Sequence, residues 1–434
     1  IIQAIASAAA GDTIYVDAGL YDSYVTVNST ETAAFNITVD TLTIIGKDSN
    51  ATVIDPAGPT TTGNHGIYAD TQTGLTIKNL GVTGAREGII FVNVDRSTVS
   101  NDSASSCGLG FLLSNVSETN TVSDNMFNSN TSTGIRLENG SNNNTFTGNT
   151  ANSNTNSPGL TSNNCSKNSL IANTFNSNGR GVWLQAIGIN RSDYHVVRNN
   201  TIKNNTIAGI RLEGTETSVI TQNDISGSDT GIFVETSSRD NLISKNNISG
   251  NNVNDVYNKG GLVQTLTRNW FGSADSVTIK AKITDTAAAW TPWRLGAADT
   301  AANADTTAPK APDTVATIDT TGGNIKLEWS AVTASEEGSE ASGVALSGYR
   351  IYRSRVRDTS SWSRIGSTGS GTIQWTDTQT SALGYYYRVT AFDTATFDNE
   401  SFFSDSQPLD TAPSAYAGPN WYVNDTYTAA DSYS

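Results

Sequence analysis

Short runs of alternating apolar and polar residues, bounded by Asn and Gly, fill the chain from about residue 75 to about residue 260. Two markers recur in phase along this stretch, with a spacing of about 24 residues and one longer step of about 27. One marker is an Asn that lies beside a short apolar pair: Asn101, Asn125, Asn149, Asn173, Asn200, Asn223 and Asn247. The other is a Gly that precedes an apolar strand: Gly88, Gly110, Gly134, Gly159, Gly181, Gly209 and Gly231. Two markers at one period indicate a solenoid.

The repeat unit predicts a coil of β-strands, because a leucine-rich repeat would need regularly placed Leu residues and a helix-forming half. In a parallel β-helix each coil holds about three short strands and stacks roughly 4.8 Å above the previous coil. Asn suits the corners of such coils, because it tolerates the left-handed conformation and its amide can bond to the same amide one coil away. The Asn content is therefore predicted to be mainly structural.

Both ends of the solenoid carry signals of a cap. Ile1 to Ala10 predicts a small helix over the open first coil, and Gly11-Asp12-Thr13 then leads into a strand, Ile14-Tyr15-Val16. At the far end, Asn269-Trp270-Phe271-Gly272 and Thr291-Pro292-Trp293 supply aromatic residues that can close the last coil. Wider coils are predicted between the first cap and the regular repeats at Val25 to Val27, Leu42 to Gly46 and Thr52 to Asp55.

Residues 1 to about 300 resemble the right-handed parallel β-helix proteins of the pectin-lyase-like superfamily, in the repeat subgroup of bacterial and archaeal surface proteins. The resemblance rests on Gly11-Asp12-Thr13-Ile14-Tyr15-Val16, on the Asn and Gly-Ile coils, and on Asn269-Trp270-Phe271-Gly272 with Pro292-Trp293. It implies an all-β fold, with the β-helix at residues 1–296. This fold carries lyases, hydrolases, epimerases, adhesins and structural proteins, so the resemblance does not settle the function.

The composition changes near residue 300, where residues 297–312 are rich in Ala, Thr, Asp and Pro, as is typical of a linker. Residues 313–411 show strands at the spacing of an immunoglobulin-like β-sandwich and resemble a fibronectin type III domain, with Trp329 at the core position and Tyr385 to Ala391 as the penultimate strand. An acidic insertion at Ser335 to Ser342 is either a calcium loop or a solvated loop. Residues 412–434 resemble the opening of a polycystic-kidney-disease-type domain, or form a strand that pairs with another chain.

Composition argues against several functions. The 434 residues carry a formal net charge of -15 and no basic run, whereas a nucleic-acid site needs clustered Lys and Arg. No apolar stretch approaches the roughly 20 residues of a membrane-spanning helix. Cys107 and Cys165 are too few for a disulfide framework and are predicted to be buried. Met126 is the only Met in the sequence, and His65 and His195 are the only His residues. A dedicated copper or zinc site is therefore not expected.

The outward positions of the Gly-apolar strand define two predicted columns. The first is Ile90, Leu112, Arg136, Thr161, Trp183, Arg211, Phe233 and Tyr257. The second is Val92, Ser114, Glu138, Asn163, Gln185, Glu213, Glu235 and Lys259. Stacked about 5 Å apart, the residues from Trp183 to Tyr257 would form an aromatic and arginine stripe. Such a stripe suits a protein interface or sugar stacking, unless an insertion such as residues 187–195 covers it or the register slips by one.

Glu213 and Glu235, with Arg211 beside them, are the candidates for catalysis. Lyases that share the resemblance combine clustered Asp ligands for calcium with an Arg or Lys base, and the hydrolases use grouped carboxylates that meet at one scissile bond. This sequence does not match either pattern. His195, as a lone His, is expected to be structural.

About fifteen Asn-x-Ser/Thr sequons occur, close to the number that chance yields for this composition. A glycan within the Asn ladder would block stacking, so sequons on solvent-facing turns are the better candidates. The glycosylation candidates are Asn28, Asn36, Asn50, Asn115, Asn139, Asn399 and Asn424.

Together these features favour a non-enzymatic extracellular protein of the cell surface that self-assembles into a homo-oligomer or polymer. A surface layer, a sheath, a filament or an adhesin would fit this description. The competing hypothesis is a carbohydrate-binding or polysaccharide-cleaving protein, a lyase or glycoside hydrolase, with a glycan as the partner of the stripe. Apart from the calcium alternative no cofactor is predicted, nor is a nucleic-acid partner or a membrane span.

Overall fold

The structure is a computed structural model. It describes residues 1–56, 63–154, 156–188, 191–273, 275–284, 297, 309–312, 315–320, 324–334, 346–354, 362–378, 385–393, 400–401 and 404. The chain divides into two compact units, one of Ile1–Ser273 and Thr278–Thr306, the other of Ala274–Val277 and Thr307–Ser434. The acidic insertion at 335–342, the aromatic pair Pro292-Trp293 and residues 412–434 lie outside the described residues, as does most of the linker at 297–312.

Up to residue 284 the elements are short strands with a helix near each end. In chain order they are α1 (Ile2–Ser7), β1 (Thr13–Val16), β2 (Gly19–Tyr21), β3 (Val25–Asn28), β4 (Glu31–Ile37), β5 (Thr43–Gly46), β6 (Thr52–Ile54), β7 (Gly63–Asp70), β8 (Thr76–Lys78), β9 (Gly81–Val82), β10 (Glu87–Val92), β11 (Thr98–Ser100), β12 (Ser103–Ala104), β13 (Leu109–Ser114), β14 (Thr121–Ser123), β15 (Ile135–Glu138), β16 (Thr145–Thr147), β17 (Pro158–Asn163), β18 (Ser169–Ile171), β19 (Arg180–Gln185), β20 (Val196–Arg198), β21 (Thr201–Lys203), β22 (Ala208–Glu213), β23 (Val219–Thr221), β24 (Asp224–Ser226), β25 (Thr230–Val234), β26 (Leu242–Ser244), β27 (Asn247–Ile248), β28 (Asn254–Asn258), α2 (Ser276–Lys280) and β29 (Ile283–Thr284).

Parallel pairing between successive coils builds three faces of a right-handed parallel β-helix. One face runs β1-β5-β8-β11-β14-β16-β18-β20-β23-β26, and a second, longer face runs from β4 through β7, β10, β13, β15, β17, β19, β22, β25 and β28 to β29. The third face consists of β2-β6-β9-β12 and β21-β24-β27, between which single bridges such as Met126 to Thr150 continue the pairing. The all-β class and the parallel β-helix that the repeat predicts are confirmed.

Alternate residues of each strand point inward and form one continuous apolar core. Aromatic residues pack within it: Phe91 and Phe111 meet edge to face with ring centroids 5.8 Å apart, and Phe111 and Phe127 are stacked with centroids 5.6 Å apart. Ile5 of α1 closes the first coil as the predicted cap, and Phe271 joins the core at the other end. Cys107 and Cys165 are free and buried, as predicted.

Asn ladders hold the corners of the coils. In the longest ladder, each side-chain Oδ1 accepts a hydrogen bond from the backbone N–H of the ladder residue one coil earlier, at 2.8–3.0 Å. Its Asn Nδ2 atoms donate to buried carbonyls of the previous coils, such as those of Val99 and Val122. The members of this ladder are Asp102, Asn125, Asn149, Asn173, Asn200, Asn223, Asn246 and Asn269. The structural role predicted for Asn is therefore confirmed.

Two of the predicted Asn positions were wrong by one residue. Asn101 lies in a left-handed turn with φ 56°, and the next residue, Asp102, enters the ladder. Asn247 begins β27, and the preceding residue, Asn246, enters the ladder. Either residue of such a pair suits a corner, and the local turn conformation determines which side chain points inward.

The predicted coil at Val25 to Val27 also needs a correction. Strand β3 pairs antiparallel with β4, with Val25 opposite Ala33 and an irregularity between Thr26 and Asn28. The segment is therefore the first arm of a hairpin at the edge of the long face and does not form a parallel coil. The short connection Asn28 to Glu31 favours this hairpin, since antiparallel strands need only a tight turn.

The second unit contains β30 (Ala316–Thr320), β31 (Asn324–Glu328), β32 (Leu346–Ser354), β33 (Ser363–Gly369), β34 (Gln374–Asp377) and β35 (Tyr386–Asp393). In its described residues, two antiparallel sheets, β30-β31-β34 and β33-β32-β35, share one apolar core around Trp329 and Tyr349. This is the sandwich arrangement expected for residues 313–411. Its assignment as fibronectin type III, and the domain boundaries at 296, 312 and 411, stay predictions.

Asp102 makes the stability of the β-helix depend on pH. It takes the place of an Asn, its Oδ2 is buried without a hydrogen-bond partner, and burial raises its pKa to about 8 from the usual 3.8. The folded state therefore keeps a proton that the unfolded state releases above about pH 4, so the free energy of unfolding falls as the pH rises from about 4 to about 8.

We expect Asp102→Asn to remove this slope and to raise the free energy of unfolding at pH 8 by about 1–3 kcal/mol, because an amide satisfies the site at every pH. Urea unfolding followed by circular dichroism across this pH range would measure the effect. Asp124→Asn is the control, because Asp124 precedes the next ladder residue and is exposed. A slope that persists in Asp102→Asn would contradict the assignment.

Candidate binding face

The long face of the β-helix carries an outward row of aromatic and arginine side chains. Register pairs Trp183 with Arg211, Arg211 with Phe233, and Phe233 with Tyr257, one coil after another. All four side chains are half-buried. We call these four residues and Arg180, which joins them, the ridge. The predicted column thus has the expected register, and its role in binding stays a prediction.

Neighbours along the ridge stack on one another. The Arg211 guanidinium lies 4.9 Å from the centre of the Trp183 ring and 5.5 Å from that of Phe233. Phe233 and Tyr257 are stacked, with centroids 5.1 Å apart and planes 10° from parallel. Because these residues are related by one coil, the ring faces point along the axis and the ring edges point outward. Sugar stacking, which needs an open ring face, therefore has little surface on this part of the ridge.

Charged groups beside the ridge pair with one another. An Arg211 Nη atom lies 2.7 Å from Glu235 and 3.4 Å from Glu213. Glu213 also accepts a hydrogen bond from Trp183 Nε1 at 3.1 Å, and Lys259 lies 3.3 Å from the other oxygen of Glu235. The candidate catalytic residues therefore come together, but as an ion-pair network in which one cation holds both carboxylates.

The first two residues of the predicted outward column are not on the surface. Ile90 and Leu112 are buried in a small apolar cluster with Tyr68 and Leu109, against the half-buried Val27 of β3. The sequence suggested an exposed position because the alternation is regular there. An apolar cluster on the outer side of the sheet excludes water from these residues without changing the alternation.

Arg180 belongs to the ridge but is absent from both outward columns predicted from the sequence. Its guanidinium lies 4.5 Å from the centre of the Trp183 ring, although it occupies the position before the Gly marker. Burial, and secondly the nearby Arg211, lower the pKa of Arg180. A third column, made of the residue before each marker Gly, would have included Arg180. In that column β19 pairs Arg180 with Pro158 and Ala208 in regular register.

Both histidines are buried. His195 replaces Asn in a corner ladder, where its Nδ1 accepts a hydrogen bond from the Asn168 N–H, and burial lowers its pKa to about 4. The structural role expected for it is confirmed. His65 lies between two carboxylates, with Nδ1 3.0 Å from Glu87 and Nε2 3.9 Å from Glu31.

The glycosylation candidates differ in access. Asn50, Asn115 and Asn139 are exposed, and Asn28 is exposed but donates a hydrogen bond to Glu31. Asn36 is half-buried. Asn399 and Asn424 lie outside the described residues. Occupancy of these sequons stays a prediction.

The coils and their three faces define a parallel β-helix protein of the right-handed, pectin-lyase-like class. The sequence matches the family described as "Periplasmic copper-binding protein (NosD)" over residues 6–191 and 185–324. The chain therefore belongs to the NosD family. No curated protein sequence matches it. Among the described residues, no helix is both long and apolar enough to cross a membrane.

Similar solved structures include three β-helix enzymes. The A-module of mannuronan C-5 epimerase AlgE4 from Azotobacter vinelandii is 19% identical, with a TM-score of 0.49 over 61% of this chain and 75% of that one. A GH87 α-1,3-glucanase from Streptomyces thermodiastaticus is 14% identical, with a TM-score of 0.47 over 62% and 59%. An alginate lyase from a Paenibacillus species is 15% identical, with a TM-score of 0.44 over 59% and 94%. At these identities the likeness concerns the fold alone.

The residues of this chain do not fit the copper of the family description. Copper favours imidazole, thiolate and thioether ligands, and all five residues that carry them are described. Both thiols are buried, the His195 ring nitrogens contact Asn168 and Ser192, and the carboxylates beside His65 lie at opposite nitrogens of its ring. No group of three or more His, Cys, Asp or Glu side chains suited to a metal ion occurs in the described part of the chain.

The ion-pair network predicts that Arg211 stabilises the fold. We expect Arg211→Ala to lower the free energy of unfolding by about 1–3 kcal/mol, because it removes the shared partner of Glu213 and Glu235 and the stacking between Trp183 and Phe233. Thermal and urea unfolding would measure this loss. Arg191→Ala is the matched control, since Arg191 is an exposed arginine paired with Glu216, and its loss should be much smaller. Equal losses in the two variants would show that Arg211 stabilises the fold no more than an exposed ion pair does.

Proposed function

We propose that this chain is a non-enzymatic structural protein of the cell surface, in which the β-helix serves as a rigid rod. The observation that carries the proposal is the mutual pairing of the groups on the ridge. Each ring or guanidinium packs on the next coil, and each candidate carboxylate is engaged by a neighbouring cation. The ridge thus strengthens the rod along its axis.

The same pairing weakens the case for catalysis. Glycoside hydrolysis needs two carboxylates that flank one scissile bond, with space for the substrate between them. Here Arg211 occupies the place between Glu213 and Glu235. A position outside the cytoplasm agrees with the word periplasmic in the family description.

Incubation with alginate or polygalacturonate in the presence of calcium tests the absence of lyase activity. We expect no rise in ultraviolet absorbance from unsaturated products and no new reducing ends, in the native chain or in Glu213→Gln. Product that forms with the native chain and disappears in Glu213→Gln or Arg211→Ala would overturn the proposal in favour of a polysaccharide lyase or glycoside hydrolase.

Self-assembly is the second test of a structural role. Half-buried Trp, Tyr and Arg side chains are frequent anchors of protein interfaces, so we expect copies to meet at the ridge and form homo-oligomers or filaments. Sizing of the recombinant chain across concentrations, with electron microscopy of the native material, would detect them. Tyr257→Ala should reduce assembly, whereas Tyr15→Ala, a change at an exposed Tyr of β1, should not. A particle that is monomeric at every concentration would contradict this prediction.

A further inference from the structure

The edge of the long face at which the chain enters the strands carries exposed apolar residues beside the ridge. Ile207 directly precedes β22 and is 40% exposed, and Val253 directly precedes β28 and is 60% exposed. Asp229, which directly precedes β25, is exposed in the coil between them. The register of the three strands places these residues in one column, which we call the entry column. Aliphatic side chains that face solvent beside aromatic residues are typical of a protein contact surface.

Two opposite charges at this edge have no charged partner among the described residues. The Arg180 guanidinium lies over the Trp183 ring, and its Nε is buried without a hydrogen-bond partner. The Asp229 carboxylate accepts a hydrogen bond from Asn252 at 3.2 Å and lies beyond ion-pair distance of every described Lys and Arg. One cation and one anion are therefore available to a molecule that binds here.

The two charges are too far apart to pair within one chain. Register places Arg180 two coils, or about 10 Å, below Asp229. Ile207 belongs to the coil between them. A positive, an apolar and a negative group thus follow one another in equal steps along the axis. A two-fold axis through the coil of Ile207, perpendicular to the solenoid, exchanges the coil of Arg180 with the coil of Asp229.

We propose that two copies of this chain pack antiparallel along the entry column. The Arg180 guanidinium of each copy then pairs with the Asp229 carboxylate of the other copy, and the two Ile207 side chains meet at the centre. Because the contact is reciprocal, it forms two ion pairs at once. The inference rests on the structural role proposed above and gives the self-assembly of the rod a defined geometry.

The order of the charges favours a second copy in the antiparallel direction. A parallel arrangement would bring Arg180 against Arg180 and Asp229 against Asp229, and like charges in contact weaken an interface strongly. A partner of a single charge sign would neutralise one of these residues and repel the other. Arg211 shares the coil of the two-fold axis, but Glu213 and Glu235 already neutralise it.

Charge reversal tests the two ion pairs. We expect Arg180→Asp and Asp229→Arg each to weaken dimerisation of the full chain at least about tenfold, because like charges then face each other twice. An equimolar mixture of the two variants should regain nearly the affinity of the native chain, since both contacts of the mixed dimer are again of opposite sign. Sedimentation velocity across concentrations would measure these affinities. Arg191→Asp, at an exposed arginine paired with Glu216, should dimerise like the native chain.

Cross-linking tests the direction of packing. Residue 207 lies on the two-fold axis, so Ile207→Cys should give a disulfide-linked dimer on mild oxidation. Val253→Cys is the matched control, because residue 253 lies two coils from the axis and about 20 Å from its equivalent in the other copy. It should therefore form little dimer, whereas a parallel arrangement would link both variants. The native thiols, Cys107 and Cys165, are buried.

Circular dichroism of each variant checks the fold, and recovery in the mixture excludes a folding defect, because mixing repairs no misfolded chain. Dimers that tolerate both charge reversals, a mixture that stays monomeric, or equal disulfide yields at residues 207 and 253 would each overturn this interface. Homo-oligomers that persist in these variants would leave the structural role intact. Cleavage of a polysaccharide would contradict that role separately, without bearing on the dimer.

Discussion

The rest of the β-helix depends on one interaction, the hydrogen bond between the backbone N–H of a corner residue and an Asn side chain in the next coil. A sharp corner leaves backbone groups that cannot join the sheets, and these groups are buried. An Asn side chain satisfies both the N–H and the carbonyl groups, because Oδ1 accepts from the N–H of the coil below and Nδ2 donates to a carbonyl. The repetition of this hydrogen bond from coil to coil fixes the spacing and the register of the coils. Replacements in the ladders keep the acceptor: His195 Nδ1 accepts from the Asn168 N–H, and Ser218 Oγ accepts from the His195 N–H.

The ridge is a consequence of that register. Once the corners align the coils, outward residues at equivalent positions must stack, so Trp183, Arg211, Phe233 and Tyr257 meet as a column. Stacking stabilises the column and turns the ring faces away from solvent. It also brings Glu213 and Glu235 to the same cation. A regular solenoid therefore tends to use its side chains for its own neighbours.

The family match and the structure agree on the fold, while the chemistry of this chain differs from the family description. The residue types that bind copper are present in small number and take structural positions: His195 completes a ladder, and Cys107 and Cys165 fill the core. A β-helix is an architecture on which sites are placed, so membership of the family does not by itself supply a site.

The sequence by itself determined the coil length, the inward and outward positions and the composition of the columns, because a solenoid converts a linear period into contacts between neighbours. Phe91 and Phe111 could thus be assigned to the core, and Trp183 to the ridge. Only the tertiary structure decided which of two adjacent Asn residues enters a ladder, as at Asn246 and Asn247, because both suit a turn. It also decided that Ile90 is covered, that Arg211 holds two carboxylates and that Arg180 has none. The direction of a long side chain depends on its spatial neighbours, and a sequence period does not contain that information.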